Sequence, residues 1–372
     1  MFLFLLCLLL HSTTSKELVL VQTLWRHGDR TPLLSFDDNP HQEAFWGLKW
    51  GELTKKGMAE QYQQGLRLKQ RYIDELEFLN SSYKIQDVYI RSTDLPRTLM
   101  SAYCNLAGFY SNSTSADQAL PINWTPVPVH TVDKAVDFLL NVADCNRKIE
   151  LLKKQTESKE FLEFLGQHED LVNEISERTK LNFSDIFLLE KFYDSMRIEK
   201  LYNLTAPQWY TNEMHLQLKE FLNKAMDYVN GNAGFGYPEN IELIRITGGV
   251  LLNEMINAID ARIKNTNSIR YYAYSAHDTT MNALLRALGA KKTVVPERMP
   301  DYASTLALEL WKMKNDDYSI RLMYSANART NFKIITSAIS GCPKDDFCPL
   351  EVFIERSQDY VNLNPQQACK SS

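Results

Sequence analysis

The sequence predicts an α/β protein, with a mixed, mainly parallel sheet flanked by helices and a helical domain inserted between its two halves. Three observations carry this reading. Short β-rich apolar runs at residues 18–24, 88–90 and 269–276 each lead through a polar break into a helix-start pattern, the alternation that builds a parallel sheet. Between residues 132 and 228, Leu, Phe and charged residues recur at helical spacing with few strand signals. Two later runs, 305–311 and 318–324, flank Asn315-Asp316-Asp317 and read as an antiparallel hairpin added to the sheet. The expected organisation is a leader at 1–15, an α/β domain at 16–131 and 241–372, and a helical insertion at 132–240.

Each element follows from local chemistry. Residues 1–10 are almost wholly apolar, yet far short of the roughly 20 residues a bilayer span needs. Thr13 and Ser15 fit the small-residue positions before a signal-peptidase cut, so 1–15 reads as a secretory signal peptide. The run at 18–24 is a buried strand, broken at Arg26-His27-Gly28-Asp29-Arg30-Thr31-Pro32. Thr54 caps a helix whose apolar face is Met58, Tyr62 and Leu66. The strand at 88–90 leads into Ser92-Thr93-Asp94, polar caps for a helix carrying Arg97. In the insertion, Phe161, Leu162 and Leu165 mark helical spacing, residues 153–160 read as a solvated helix face, and 231–238 is a turn-rich linker. The strand at 269–276 ends at His277-Asp278-Thr279-Thr280. Asp278 or Thr279 caps a helix through Met281, Leu284, Leu285 and Leu288, stopped by Gly289.

Composition narrows the function. A chain of 372 residues, 44% hydrophobic and 23% charged, is neither disordered nor fibrous. A net charge of −5 without a dense Lys/Arg run argues against nucleic-acid or polybasic membrane partners. No later segment reaches transmembrane length and the C-terminal residues are polar, so no membrane anchor is expected. With the leader, this points to a secreted protein or one soluble in the lysosomal lumen.

Of the 6 cysteines, Cys7 lies in the leader, and the odd number remaining leaves a thiol unpaired. Cys342 and Cys348 can close a small loop. Cys104 reads as a buried small hydrophobe, which leaves Cys145 with Cys369 as the second bridge. Asn80, Asn112, Asn123, Asn182 and Asn203 are N-x-S/T sites and candidates for glycosylation.

The chemistry gathers at strand ends, where open α/β sheets bind ligands. Arg26, Arg30 and Arg97 supply forked, permanently charged donors that match a tetrahedral oxyanion. His27 and His277 beside them can serve as nucleophile and hydrogen-bond donor, and the Asp278 carboxyl can hand a proton to a leaving oxygen. Such a set cleaves a phosphomonoester. No HExxH or CxxC motif is present, and clustered guanidiniums repel cations, so no metal and no other cofactor is expected. Asp29 can orient the loop or contact substrate, Arg91 can equally serve the site or form a structural ion pair, and His41, His130, His168 and His215 read as structural or exposed.

The block Arg26-His27-Gly28-Asp29-Arg30-Thr31-Pro32 resembles the RHGxRxP signature of the histidine acid phosphatases. The similarity continues through Leu53-Thr54-Lys55-Lys56-Gly57, Val88-Tyr89-Ile90-Arg91-Ser92-Thr93-Asp94, Gly248-Gly249-Val250-Leu251 and Tyr274-Ser275-Ala276-His277-Asp278-Thr279-Thr280, and is greatest to the prostatic and lysosomal branch. The resemblance implies a phosphoglycerate mutase-like fold. It implies His27 as a nucleophile forming a phosphohistidine, Arg26, Arg30, Arg97 and His277 as phosphate ligands, and Asp278 as the general acid. Burial of Asp278 and an acidic pH optimum are expected to keep that acid protonated. The resemblance also implies homodimers, and a further disulfide at positions here occupied by Ile198 and Thr305. The substrate is a small-molecule or phosphopeptide phosphomonoester; the alternative is a catalytically silent phospho-ligand binder of the same fold.

Overall fold

A computed structural model describes residues 16–111, 124–141, 145–296, 299–361 and 364–370. The leader, Asn112 and Asn123 lie outside the described residues. In chain order, β1 (Glu17–Arg26) is followed by α1 (Glu43–Trp46), α2 (Lys55–Lys69), β2 (Val88–Ser92) and α3 (Pro96–Phe109). A helical stretch comprises α4 (Asn146–Thr156), α5 (Lys159–Gly166), α6 (Glu169–Thr179), α7 (Ile186–Leu201) and α8 (Asn212–Val229). Then come α9 (Ile241–Thr247), α10 (Gly249–Ile263), β3 (Tyr271–Ala276), α11 (Asp278–Ala287) and α12 (Lys291–Val294). The chain finishes with β4 (Thr305–Lys312), β5 (Tyr318–Ser325), β6 (Lys333–Ile334), β7 (Cys348–Pro349), α13 (Leu350–Ser357) and α14 (Pro365–Ala368).

Among the described residues the sheet runs β2-β3-β1-β4-β5-β6, with β7 also on β5. β3 pairs in parallel with both β2 and β1, while β4 runs antiparallel to β1 and to β5. The register opposes Arg26 to Ala276 and Ser92 to Ser275, so three strands finish at one level and hand their next residues to one edge. Alternation along these strands feeds two cores. Leu24, Tyr274 and Leu306 pack under Leu252 of α10 and Leu285 of α11, and Trp25, Ile90 and Ala273 face Leu68 of α2 and Leu106 of α3. The helical stretch has a core of its own, built on Phe161, Phe192, Phe221 and Tyr228 and joined by Phe36.

Several local expectations are corrected. Thr54 does cap α2, its hydroxyl accepting from the Gly57 N–H at 3.0 Å. The buried face of α2, however, is Gly57, Gln61, Gln64, Gly65 and Leu68, while Tyr62 is 38% exposed. The reason is backbone contact with α3. A Cβ on Gly65 would lie 1.9 Å from the Asn105 carbonyl oxygen, so the face must be glycine, and its glutamines reach the Arg26 carbonyl and the Thr305 hydroxyl.

No polar residue caps α3. Leu95 is the N-cap before Pro96, and the Thr93 hydroxyl turns instead to Thr98 and His277. Neither Asp278 nor Thr279 caps α11; His277 holds the N-cap position and Asp278 begins the helix. The run 153–160 spans a break between α4 and α5, with Gln155 buried at the break and donating to the Tyr228 carbonyl. Leu162 points outward, 50% exposed, because α5 turns Phe161 and Phe164 to the core. Cys104 is half-buried rather than buried, at the margin of the stripe that α3 turns to the sheet.

Both expected disulfides form, Cys145–Cys369 and Cys342–Cys348, and Cys104 is free. Ile198 and Thr305 are both buried. Asn80, Asn182 and Asn203 are exposed. Among the described residues, no helix is long and apolar enough to cross a membrane.

Candidate active site

The loop after β1 is held from three sides. The Arg26 N–H donates to the Ser304 carbonyl at 3.0 Å, the His27 N–H to the Ala276 carbonyl at 3.0 Å, and the Ala303 N–H to the His27 carbonyl at 3.2 Å. Gly28 lies against α2 so closely that a Cβ there would come within 2.2 Å of the Gly57 carbonyl oxygen. Asp29 ties the loop to α2 and α7. Its buried carboxylate accepts from Thr54 Oγ1 at 2.7 Å and from the Tyr202 hydroxyl, with Lys56 Nζ at 3.4 Å. Arg91 is a structural pair with Asp137 at 3.1 Å.

His27 is buried, and its Nδ1 lies 2.8 Å from the Gly28 carbonyl oxygen. A carbonyl can only accept, so Nδ1 carries the proton and Nε2 keeps its lone pair. Burial first, then the charges of Arg26, Arg97, Arg30 and His277, hold its pKa well below the usual histidine range. The imidazole is therefore neutral, as a nucleophile must be.

All three predicted arginines surround it. Arg26 is fully buried, with Nη1 donating to the Pro300 carbonyl at 2.6 Å and Nη2 paired to Asp278 Oδ2 at 2.6 Å. Arg30 donates from Nη2 to Asp194 Oδ2 at 2.8 Å and from Nη1 to the Thr31 carbonyl. Burial lowers its pKa, but Asp194, Tyr302 and Asp278 together outweigh burial and the net direction is up. Arg97 lies in the first turn of α3; burial, then the charges of Arg30 and Arg26, opposed by Asp278, bring it down to about 10. The Nε atoms of Arg26, Arg30 and Arg97 are buried without a hydrogen-bond partner among the described residues. Donors crowd here, and acceptors are few.

The β3 end completes the set. His277 Nε2 lies 3.0 Å from Thr93 Oγ1, and its ring meets that of His27 edge to face at 5.6 Å between centroids. Burial and then Arg97, with Arg26 and Arg30 adding to them against Asp278, bring its pKa to about 3. Asp278 corrects one expectation. It is mostly buried, and burial alone would raise its pKa, but Arg26 and Arg30 win and hold it below the usual carboxylate range. The site without substrate thus carries a carboxylate here, further favoured by the positive end of α11.

Sequence reasoning missed three residues. Asp194 of α7 bridges Arg30 at 2.8 Å and Arg197 at 3.2 Å, and Arg197 adds a fourth guanidinium nearby. Tyr302, two residues beyond Pro300, lies against Arg26. Asp194 and Arg197 look like any charged pair on a helical segment, and Tyr302 sits in a loop without a motif, so no local signal marks them. Beside the site, Thr279, Asn282 and Arg286 of α11 line a cavity of about 450 Å³ with Phe187 of α7 and Met226 of α8. Among the described residues, no group of three or more His, Cys, Asp and Glu converges as a metal-binding set would.

A neutral imidazole inside a ring of guanidiniums, at the carboxyl edge of this sheet, is an arrangement suited to binding a phosphoryl group. Residues 17–325 match the family described as the histidine phosphatase superfamily, branch 2, and the chain belongs to it. Its relatives include the prostatic acid phosphatase of Bos taurus, 33% identical over 358 residues that make up 95% of this chain and 88% of that one. The lysosomal acid phosphatase of Homo sapiens is 32% identical, over 96% of this chain and 81% of its own. Among solved structures, the apo phytase of Hafnia alvei superposes with a TM-score of 0.68 at 16% identity, covering 96% of this chain and 99% of the other; it shares the fold.

Proposed function

We propose that this protein is an acid phosphatase that hydrolyses phosphomonoesters through a phosphohistidine on His27, secreted or held in the lysosomal lumen. The observation that carries the reading is the Nδ1 contact of His27 to the Gly28 carbonyl, which leaves the Nε2 lone pair as the reactive end among Arg26, Arg30 and Arg97. Relatives named acid phosphatases support the activity. Two disulfides and exposed Asn80, Asn182 and Asn203 support an oxidising compartment and glycosylation there.

The reaction follows from the charges. The arginines and His277 hold the non-bridging oxygens and stabilise charge as it spreads over them. His27 Nε2 forms a bond to phosphorus as the P–O bond to the alcohol breaks, and Asp278 gives its proton to the departing oxygen. Water then attacks phosphorus, the P–N bond breaks, and the Asp278 carboxylate takes the proton back. Asp278 is ionised before substrate arrives, so the proton must come with it. A phosphomonoester with a second pKa near ~6 carries that proton in acid, and its negative charge draws on Arg26, which raises the affinity of Asp278 for it. The acid optimum is then a property of the complex.

The domain at 16–131 and 241–372 carries this chemistry, and the helical insertion at 132–240 walls the neighbouring cavity through Phe187 and Met226. Enzyme incubated with labelled aryl phosphate and quenched in base should carry an acid-labile, base-stable label that His27→Ala lacks, with turnover abolished. Turnover retained in His27→Ala rules the nucleophile out, and phosphate binding without hydrolysis at any acid pH favours a silent binder.

A further inference from the structure

Tyr302 stands on a loop that the fold holds tightly. Ala303 next to it has φ of 54°, a left-handed conformation that alanine adopts only when its surroundings impose it. Those surroundings are the hydrogen bonds from the Ala303 N–H to the His27 carbonyl and from the Arg26 N–H to the Ser304 carbonyl. The loop is therefore clamped across the peptide that carries His27. The Tyr302 ring lies over the Arg26 guanidinium at 4.2 Å, 5.8 Å from the His27 ring and 5.5 Å from the Arg197 guanidinium.

The tyrosine is 6% exposed, and its hydroxyl makes no hydrogen bond among the described residues. A buried hydroxyl without a partner is costly and uncommon in a native fold. The same holds for the buried Nε atoms of Arg26, Arg30 and Arg97. Through charge, the hydroxyl couples to Arg30, Arg26 and Arg197, and to Arg97 in turn. Several donors thus surround one space, and a tetrahedral oxyanion, rich in lone pairs that accept hydrogen bonds, is the guest that satisfies them together.

We propose that the Tyr302 hydroxyl is a direct ligand of the phosphoryl group, donating a hydrogen bond to a non-bridging oxygen alongside the arginines. This rests on the reading of the site as a phosphate site. The hydroxyl donates without transferring its proton, and no bond to Tyr302 forms or breaks. Burial keeps it protonated against the pull of Arg30, Arg26 and Arg197, as a donor requires. The ring, face-on to Arg26, fixes the height at which the hydroxyl meets the oxyanion.

Tyr302→Phe keeps the ring and removes the donor; Tyr302→Leu removes both. With the purified full chain, inorganic phosphate binding by calorimetry should weaken about 10- to 100-fold in Tyr302→Phe, at unchanged melting temperature. Inhibition by vanadate and kcat/KM for an aryl phosphate should fall by at least as much. Phosphate affinity within twofold of the parent overturns the proposal. So does a pattern in which Tyr302→Leu alone loses affinity, because the ring then acts only by packing Arg26. Should the parent hydrolyse nothing, the phosphatase reading fails by itself, and the phosphate affinities still decide the role of Tyr302.

Discussion

Arg26 Nη2 and Asp278 Oδ2 meet at 2.6 Å, so the residue just before the candidate nucleophile holds the candidate acid. The contact joins the ends of two parallel strands and makes one guanidinium answer to two anions in turn. Without substrate it keeps Asp278 charged. In the proposed mechanism, a bound phosphate draws on the same guanidinium, and its hold on the carboxylate weakens.

Asp278→Asn should therefore discriminate between leaving groups. An alkyl phosphate needs its departing oxygen protonated, and its kcat should fall about 10²–10⁴-fold. A nitrophenyl phosphate leaves as a stable anion and should lose far less. Equal losses on both substrates, measured at one acid pH, would remove the general-acid role.

His277 sets a pH dependence of stability. Its folded pKa of about 3 lies below the ordinary histidine value, so on acidification the unfolded chain takes up the proton first. Stability is undiminished above the ordinary histidine pKa near ~6.5 and declines as pH falls from there towards the folded value. The slope from this one group reaches about 1.4 kcal/mol per pH unit. Denaturant unfolding at several pH values should show His277→Asn with a shallower decline by up to that amount. An unchanged slope would mean that His277 is not held neutral in the fold.

Gly57 tests the backing of the catalytic loop. A Cβ there would lie 2.2 Å from the Asp29 carbonyl oxygen, and backbone cannot step aside as a side chain can. Gly57→Ala should cost about 3 kcal/mol of stability by overpacking. By shifting the His27 loop it should also lower kcat about 10²-fold. Urea unfolding and steady-state kinetics read the two effects, and wild-type values for both would show that the loop is not braced there.

The disulfides should differ in worth. Cys145–Cys369 spans a sequence separation of 224, Cys342–Cys348 one of 6. Loop-closure entropy assigns about 5 kcal/mol to the first and about 2 kcal/mol to the second. Melting temperatures of the two double Cys→Ser variants should fall in that order, and the reverse order would point to structure retained in the unfolded chain.

Much of this protein is written locally. The strands at β1, β2 and β3, the Thr54 cap, the hairpin of β4 and β5, and the candidates Arg26, His27, Arg30, Arg97, His277 and Asp278 are legible because each depends on neighbours within a few residues. The chain order of Arg26, His27 and Arg30 already ties them to one loop. Tertiary structure decided the rest. The register that opposes Arg26 to Ala276 brings Asp278 to Arg26 across some 250 positions of sequence. The backbone contact of α2 with α3 turned a predicted apolar face outward in favour of glycine and glutamine. Asp194 and Tyr302 became part of the site only when α7 and the loop before β4 folded against Arg30 and Arg26. The division has a simple cause: hydrogen-bonded turns and side-chain periodicity act over a handful of residues, whereas burial and charge act through space, on whatever neighbours the fold supplies.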